Sequence, residues 1–207
     1  MARCHSFWFS RCRMDFLSRV KKEMSEGIAR AIFEDAGYRV IDAGVEKVFR
    51  EVACLSPLEY AKLAMPDAVR KLPDFMVMNR EQDQKYLIEV KYRDSWSKAV
   101  LSEVKDQVAL FGEMILLSIN ASADNPRKFK DSPSRFIRCC ALRLNAGVYE
   151  MEMRNNRGWE PVDKLDDDAG LWWATWPLWE KFPQLKEDGN SKTLSLAVKT
   201  LKGILTE

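Results

Sequence analysis

One histidine, His5, is all that the 207 residues provide. Chemistry that needs a histidine base is therefore excluded from the rest of the chain, and with it any Ser/His/Asp set beyond the first few residues. Glycine is sparse, at nine residues. None of it forms a phosphate-cradling loop, which argues against an ATP-driven engine. The formal net charge is only +2, so no global basic field announces a nucleic-acid partner. No apolar run reaches the length of a membrane span. The patch Phe7-Trp8-Phe9 is too short for the core of a signal peptide. The five cysteines are odd in number and lack framework spacing, which argues for free thiols in a reducing, cytoplasmic compartment. Cys139-Cys140 lies in an apolar run and reads as core, while Cys4, His5 and Cys12 match no zinc-ligand spacing.

What is present is an ordinary apolar fraction, 46%, enough to bury one core, with room for a small appendage. Leu17, Val20, Met24, Ile28 and Ile32 recur at helical spacing from about Asp15 to Ala36, and Gly37 supplies a stop. A strand is expected over residues 38–43. Residues 45–72 read as helical, with a fresh start at Ser56-Pro57 and an interruption at Pro66. Val100, Val104, Val108 and Phe111 give one face of a helix ending near Gly112. Residues 114–119 form a strongly apolar run, as in a buried strand, which makes a strand–helix–strand crossover. Two more strands are expected around Asn145-Ala146-Gly147. Gly158 and Asp166-Asp167-Asp168 mark a loop, and residues 191–207 a terminal helix with Leu194, Val198, Leu201 and Leu205 on one side.

The unusual stretch lies between these. Leu72-Pro73-Asp74-Phe75-Met76-Val77-Met78 and Tyr86-Leu87-Ile88-Glu89-Val90-Lys91-Tyr92 are β-favouring runs joined by a polar segment, the signature of a hairpin. Asp74 opens the first run. Glu89 and Lys91 sit inside the second, and their side chains point to the same face, with Leu87. Unpaired charge in a sheet interior is costly. Two carboxylates can hold a divalent cation through oxygen, and a lysine beside them can orient or activate a water.

Pro73-Asp74 followed by Glu89-Val90-Lys91 resembles the PD-(D/E)xK nuclease superfamily, across roughly residues 20–120. The resemblance implies an α/β, restriction-endonuclease-like core: a mixed central sheet flanked by helices, here over residues 14–155. Residues 1–13 would be an unstructured extension with the natural start at Met14, the helical insertion at 45–72 would be an addition, and residues 156–207 a Trp-rich and helical extension. The implied activity is Mg²⁺- or Mn²⁺-dependent phosphodiester hydrolysis, in DNA first, with an RNA-directed nuclease as an alternative that the metal chemistry does not separate. Asp74 and Glu89 would ligate the metal, with the backbone carbonyl of Val90, and Glu26 on the first helix would add a ligand, Glu23 being the fallback. Lys91 would position or activate the attacking water. Gln107 is the candidate on the helix after the second strand, ahead of Lys105.

Two further features concern partners. Arg127, Lys128, Lys130, Arg135, Arg138 and Arg143 form a basic strip. Its first four are candidate phosphate contacts, although an acidic segment follows and balances it. The segment Leu171-Trp172-Trp173-Ala174-Thr175-Trp176-Pro177-Leu178-Trp179 reads as packing or as an interface, either between two copies or with a protein partner, ahead of base stacking. A non-cleaving nucleic-acid-binding or assembly module of the same fold is the alternative to a nuclease.

Overall fold

A computed structural model describes residues 16–93, 95–120, 132–186 and 192–205. The N-terminal extension, Cys4, His5, Cys12, Met14 and the basic residues Arg127, Lys128 and Lys130 lie outside them.

The chain builds a mixed eight-stranded sheet flanked by helices. Helix α1 (Phe16–Asp35) ends at Gly37, whose φ of +82° suits a residue without Cβ, and Tyr38 N–H closes the end on Phe33 O at 3.0 Å. Strand β1 (Arg39–Asp42) pairs antiparallel with β2 (Phe75–Met78), which pairs antiparallel with β3 (Lys85–Arg93). The expected hairpin is present. β3 then runs parallel to β4 (Glu113–Asn120), so the intervening segment is the expected crossover. From β4 the sheet continues antiparallel through β5 (Ile137–Asn145), β6 (Val148–Met153) and β7 (Gly158–Pro161). The two-residue β8 (Trp176–Pro177) also pairs with β5.

Four expectations need correction. The single helix expected over residues 100–111 is two, α5 (Ala99–Glu103) and α6 (Lys105–Phe111), broken where Val104 leaves helical geometry at φ −102° and ψ 1°. Val100, Val104 and Val108 still face the core together, because the break preserves their phase. Gly158 does not mark a loop. At φ +75° it leads the chain out of a turn through Asn155 and Asn156, both also at positive φ, and into β7. The helical spacing of Val48, Val52 and Leu55 does not give one helix but α2 (Val45–Val48) and a 3₁₀ turn (Arg50–Cys54), whereas the fresh start at Ser56-Pro57, α3 (Pro57–Lys62), and the break at Pro66 before α4 (Asp67–Arg70) are as expected. No residue of α2 or α4 is buried, so no core face exists there to extend them. Finally, Arg138 and Arg143 do not belong to an open basic strip, as described below.

Both faces of the sheet are covered, and β4 is buried at seven consecutive positions, Met114 to Asn120. That explains its apolar character, interrupted only by the buried Ser118 and Asn120. One face packs Phe33, Val77, Ile88, Leu117 and Phe182 with the terminal helix α10 (Thr193–Leu205), whose Leu194, Val198 and Leu201 are buried. The other packs Leu101, Val108, Leu116, Leu142 and Met151. The tryptophan segment folds as α8 (Ala169–Ala174), β8 and α9 (Leu178–Lys181). Trp172 is buried and donates to Arg135 O at 3.2 Å, whereas Trp179 is exposed. Among the described residues no helix is long and apolar enough to cross a membrane.

Candidate active site

Strand β2 begins at Phe75, which pairs with Ile88. Beyond that pair the β3 backbone has no β2 partner, and the Asp74 side chain takes its place: Val90 N–H donates to Asp74 Oδ2 at 2.8 Å. Asp74 is also fixed through its own carbonyl, which accepts from Ala43 N–H at 3.0 Å and Gly44 N–H at 3.3 Å. The Asp therefore sits where the hairpin opens, held by β3 on one side and by the end of β1 on the other.

Glu89 is 7% exposed. Lys91 Nζ donates to its Oε1 at 2.6 Å and Gln107 Nε2, from α6, to its Oε2 at 2.9 Å. Lys91 and Glu89 thus share a face, as strand alternation requires. Gln107 reaches this face because α6 lies on the crossover that joins β3 to its parallel neighbour. Lys105, the other candidate on that segment, is exposed, with its ammonium 5.9 Å from the Tyr149 ring.

Glu26 is 6% exposed, and its Oε1 has no hydrogen-bond partner. Its nearest counter-charge is Lys22 Nζ at 3.8 Å, one turn earlier on α1. Glu23 points to Lys47 instead, at 2.8 Å, and is exposed, so Glu26 and not the fallback accompanies Asp74 and Glu89. Glu26 lies off the apolar stripe of α1 in sequence, yet Ser25 beside it is also buried.

Crowding of these carboxylates has an electrostatic consequence. Burial, then the charges of Glu89 and Glu26, push Asp74 up to about 8 from the ordinary carboxylate range, against the opposing effects of the Val90 N–H and Lys91. Burial likewise raises Glu26. Burial pulls the Lys22 ammonium down, but Glu26, Glu46 and Asp74 around it hold it above its ordinary value. An orphan buried carboxylate oxygen beside two more carboxylates, all oxygen donors, fits a hard divalent cation. Among the described residues no three His, Cys, Asp or Glu side chains are grouped so as to hold a metal ion; Asp74 accepts from the Val90 N–H, and Glu89 from Lys91 and Gln107.

Two clefts meet at Asp74 and Glu89, with Lys22 also common to both. One, of about 440 Å³, is walled by Glu26, Gln107 and residues of the 45–72 insertion. The other, of about 500 Å³, is walled by the start of α1 and by Lys91, Tyr92 and Arg93. Nothing in the residue pattern marks Lys22: a lysine on an amphipathic helix looks like any solvated cation, and only the fold turns it towards the carboxylates. Arg135 lines neither cleft; its guanidinium lies 5.2 Å from the Phe136 ring. Arg138 is 1% exposed and donates to Thr175 Oγ1 at 3.0 Å, to the carbonyls of Ser134 at 3.2 Å and Trp173 at 3.1 Å, and to Thr175 O. Arg143 pairs with Glu150 at 2.8 Å and stacks on Trp159.

Comparison with protein-family models, curated proteins and solved structures returns no match to this chain.

Proposed function

We propose that the protein is a divalent-metal-dependent nuclease of restriction-endonuclease-like fold that hydrolyses phosphodiester bonds in DNA. The observation that carries this reading is the convergence of Asp74, Glu89 and Lys91, from two adjacent strands, with the unpartnered Glu26 oxygen, at the meeting point of two clefts. The order α1, β1, β2, β3, crossover, parallel β4 supports it, being the arrangement the resemblance implies.

Asp74 and Glu89, with the Val90 carbonyl and Glu26, would hold Mg²⁺ or Mn²⁺. Such a cation, when bound, supplies acidification of a water and charge neutralisation at the phosphate. Asp74 must give up its proton to serve as a ligand, which the raised pKa makes pH-dependent. Lys91 keeps its ammonium within reach of the reacting water and of the charge that develops on phosphorus. Gln107 holds the second oxygen of Glu89 and so fixes the plane of that carboxylate. Lys21 and Lys22 on α1 border the cleft through which a phosphate backbone would pass.

The test is cleavage of single-stranded, duplex and branched DNA, and of RNA, in Mg²⁺, Mn²⁺ or EDTA. Cutting should require the metal and vanish in Asp74→Ala. Lys91→Ala should abolish cutting while leaving DNA binding in EDTA nearly intact. Cleavage that survives in EDTA or in Asp74→Ala would overturn the proposal.

A further inference from the structure

The two clefts that share Asp74 and Glu89 are chemically unlike. The larger has four cations, Lys21, Lys22, Lys91 and Arg93, and only those two acids. The smaller has three cations, Lys22, Lys47 and Arg70, against four acids, Glu26, Glu46, Asp74 and Glu89. Cations in both clefts are engaged by acids, Lys22 by Glu46 at 3.1 Å, Lys47 by Glu23 at 2.8 Å, Lys91 by Glu89 at 2.6 Å and Arg93 by Glu103, so it is the balance of charges that separates the two clefts. A phosphate backbone is drawn to the first cleft and not to the second.

The smaller cleft is mostly polar, but part of its wall is apolar and aromatic. Val52, Leu55 and Leu72 border it, and with them Tyr60, whose ring centroid lies 5.9 Å from the guanidinium carbon of Arg70. Tyr60 is placed by local chemistry. It follows a capping box in which Ser56 and Glu59 exchange side-chain and backbone hydrogen bonds, and its own N–H closes the first turn of α3 on Ser56 O at 2.9 Å. The insertion that carries it does not serve the core: Val48, Phe49, Leu58 and Leu63 are all exposed. An aromatic ring with an adjacent guanidinium is the surface on which nucleobases stack, whatever their identity.

We infer that Tyr60 and Arg70 form a stacking platform for an unpaired nucleobase beside the scissile phosphate, so that the substrate is single-stranded or frayed DNA and not an intact duplex. The position of the phosphate in this inference rests on the nuclease reading above; the stacking surface does not. Bases within a duplex are already stacked on both faces and are kept from such a site unless extruded. The nucleotide would thus divide between the clefts, with backbone along Lys21, Lys22 and Lys91 and base against Tyr60.

The experiment uses the full chain in EDTA with DNA oligonucleotides carrying the fluorescent base 2-aminopurine, which stacking quenches. A single strand should be quenched by the parent protein and by Tyr60→Phe, but not by Tyr60→Ala, which should bind it about tenfold more weakly. Arg70→Gln, at a side chain that is 52% exposed, should weaken binding less, by about threefold. A blunt, fully paired duplex should show no quench. In Mg²⁺ the loss in Tyr60→Ala should fall on KM more than on kcat. Undiminished quench and affinity in Tyr60→Ala, with that variant folded by circular dichroism, would overturn the platform even where metal-dependent cleavage persists. Equal quenching of blunt duplex would overturn the single-strand preference. Tyr60-dependent quenching without cleavage in any metal would retain the platform and remove the nuclease reading.

Discussion

Two polar clusters are built into this sheet, and they are organised in opposite ways. Around Arg138, between β5 and β8, one cation meets a ring of neutral oxygens from Ser134, Trp173 and Thr175, and each guanidinium nitrogen donates. Around Asp74 and Glu89, three carboxylates gather with Lys91 and Gln107 on one of them, and an oxygen of Glu26 is left without a partner. In the first cluster every guanidinium nitrogen already has a partner within the protein. The second has more acceptors than donors and gains by admitting a cation. Burial alone does not distinguish them, since Arg138 is the more deeply buried of the two centres; the completeness of hydrogen bonding does.

The contrast is broken most severely at the saturated cluster. Arg138→Met keeps much of the side-chain volume but strands the carbonyls it served, and should cost about 3 kcal/mol of stability in urea unfolding. A variant as stable as the parent would mean that the ring of oxygens is not what holds β5 to the tryptophan segment. At the open cluster the sign should reverse. Asp74→Asn retains an oxygen for the Val90 N–H and removes the cost of burying a carboxyl that must take up a proton on folding, so the metal-free protein should gain at least about 1 kcal/mol at neutral pH, while the proposed cleavage should be lost. A loss of stability there would show that Asp74 is a structural residue like Arg138.

The remaining effect is the pH dependence. Asp74 holds its proton more tightly folded, with a value of about 8, than unfolded, where the ordinary value is 3.8. The stability this proton contributes is complete below the unfolded value and is lost as pH rises through about 8. The melting temperature of the metal-free protein should therefore fall across that range, and Asp74→Asn should flatten the fall. Arg138, lowered to about 10 by burial first and then by Arg154, makes its own contribution only above that pH.

These two clusters also mark how far the sequence could be read. Glu89 and Lys91 stand out because charge is rare inside an apolar strand, and Asp74 because it precedes the partner run at hairpin distance. Glu26 carries no such signal; only the resemblance points to it. Arg138 defeats period-two reading altogether. β5 is buried from Ile137 to Leu142 on both faces, so an arginine there looks like part of the basic run that precedes it. Tyr60 and Arg70 were invisible for another reason. Residues 45–72 have no core face, and hydrophobic spacing, the main signal for helices, has nothing to report when apolar side chains such as Leu58 remain exposed.

The pairing of the strands sets the order in which the centre can assemble. β2 and β3 form a hairpin, a contact between near neighbours in sequence that closes on the order of 1–10 μs. Asp74 and Glu89 are thus brought together early, with only Lys91 and the Val90 N–H of the same hairpin to offset their repulsion. Gln107 arrives only when the crossover sets β4 parallel to β3, and Glu26 and Lys22 only when α1 packs on the sheet. The carboxylates proposed to hold a cation oppose the first folding step of the centre, and a cation present during folding would then act on the rate as well as on the final stability.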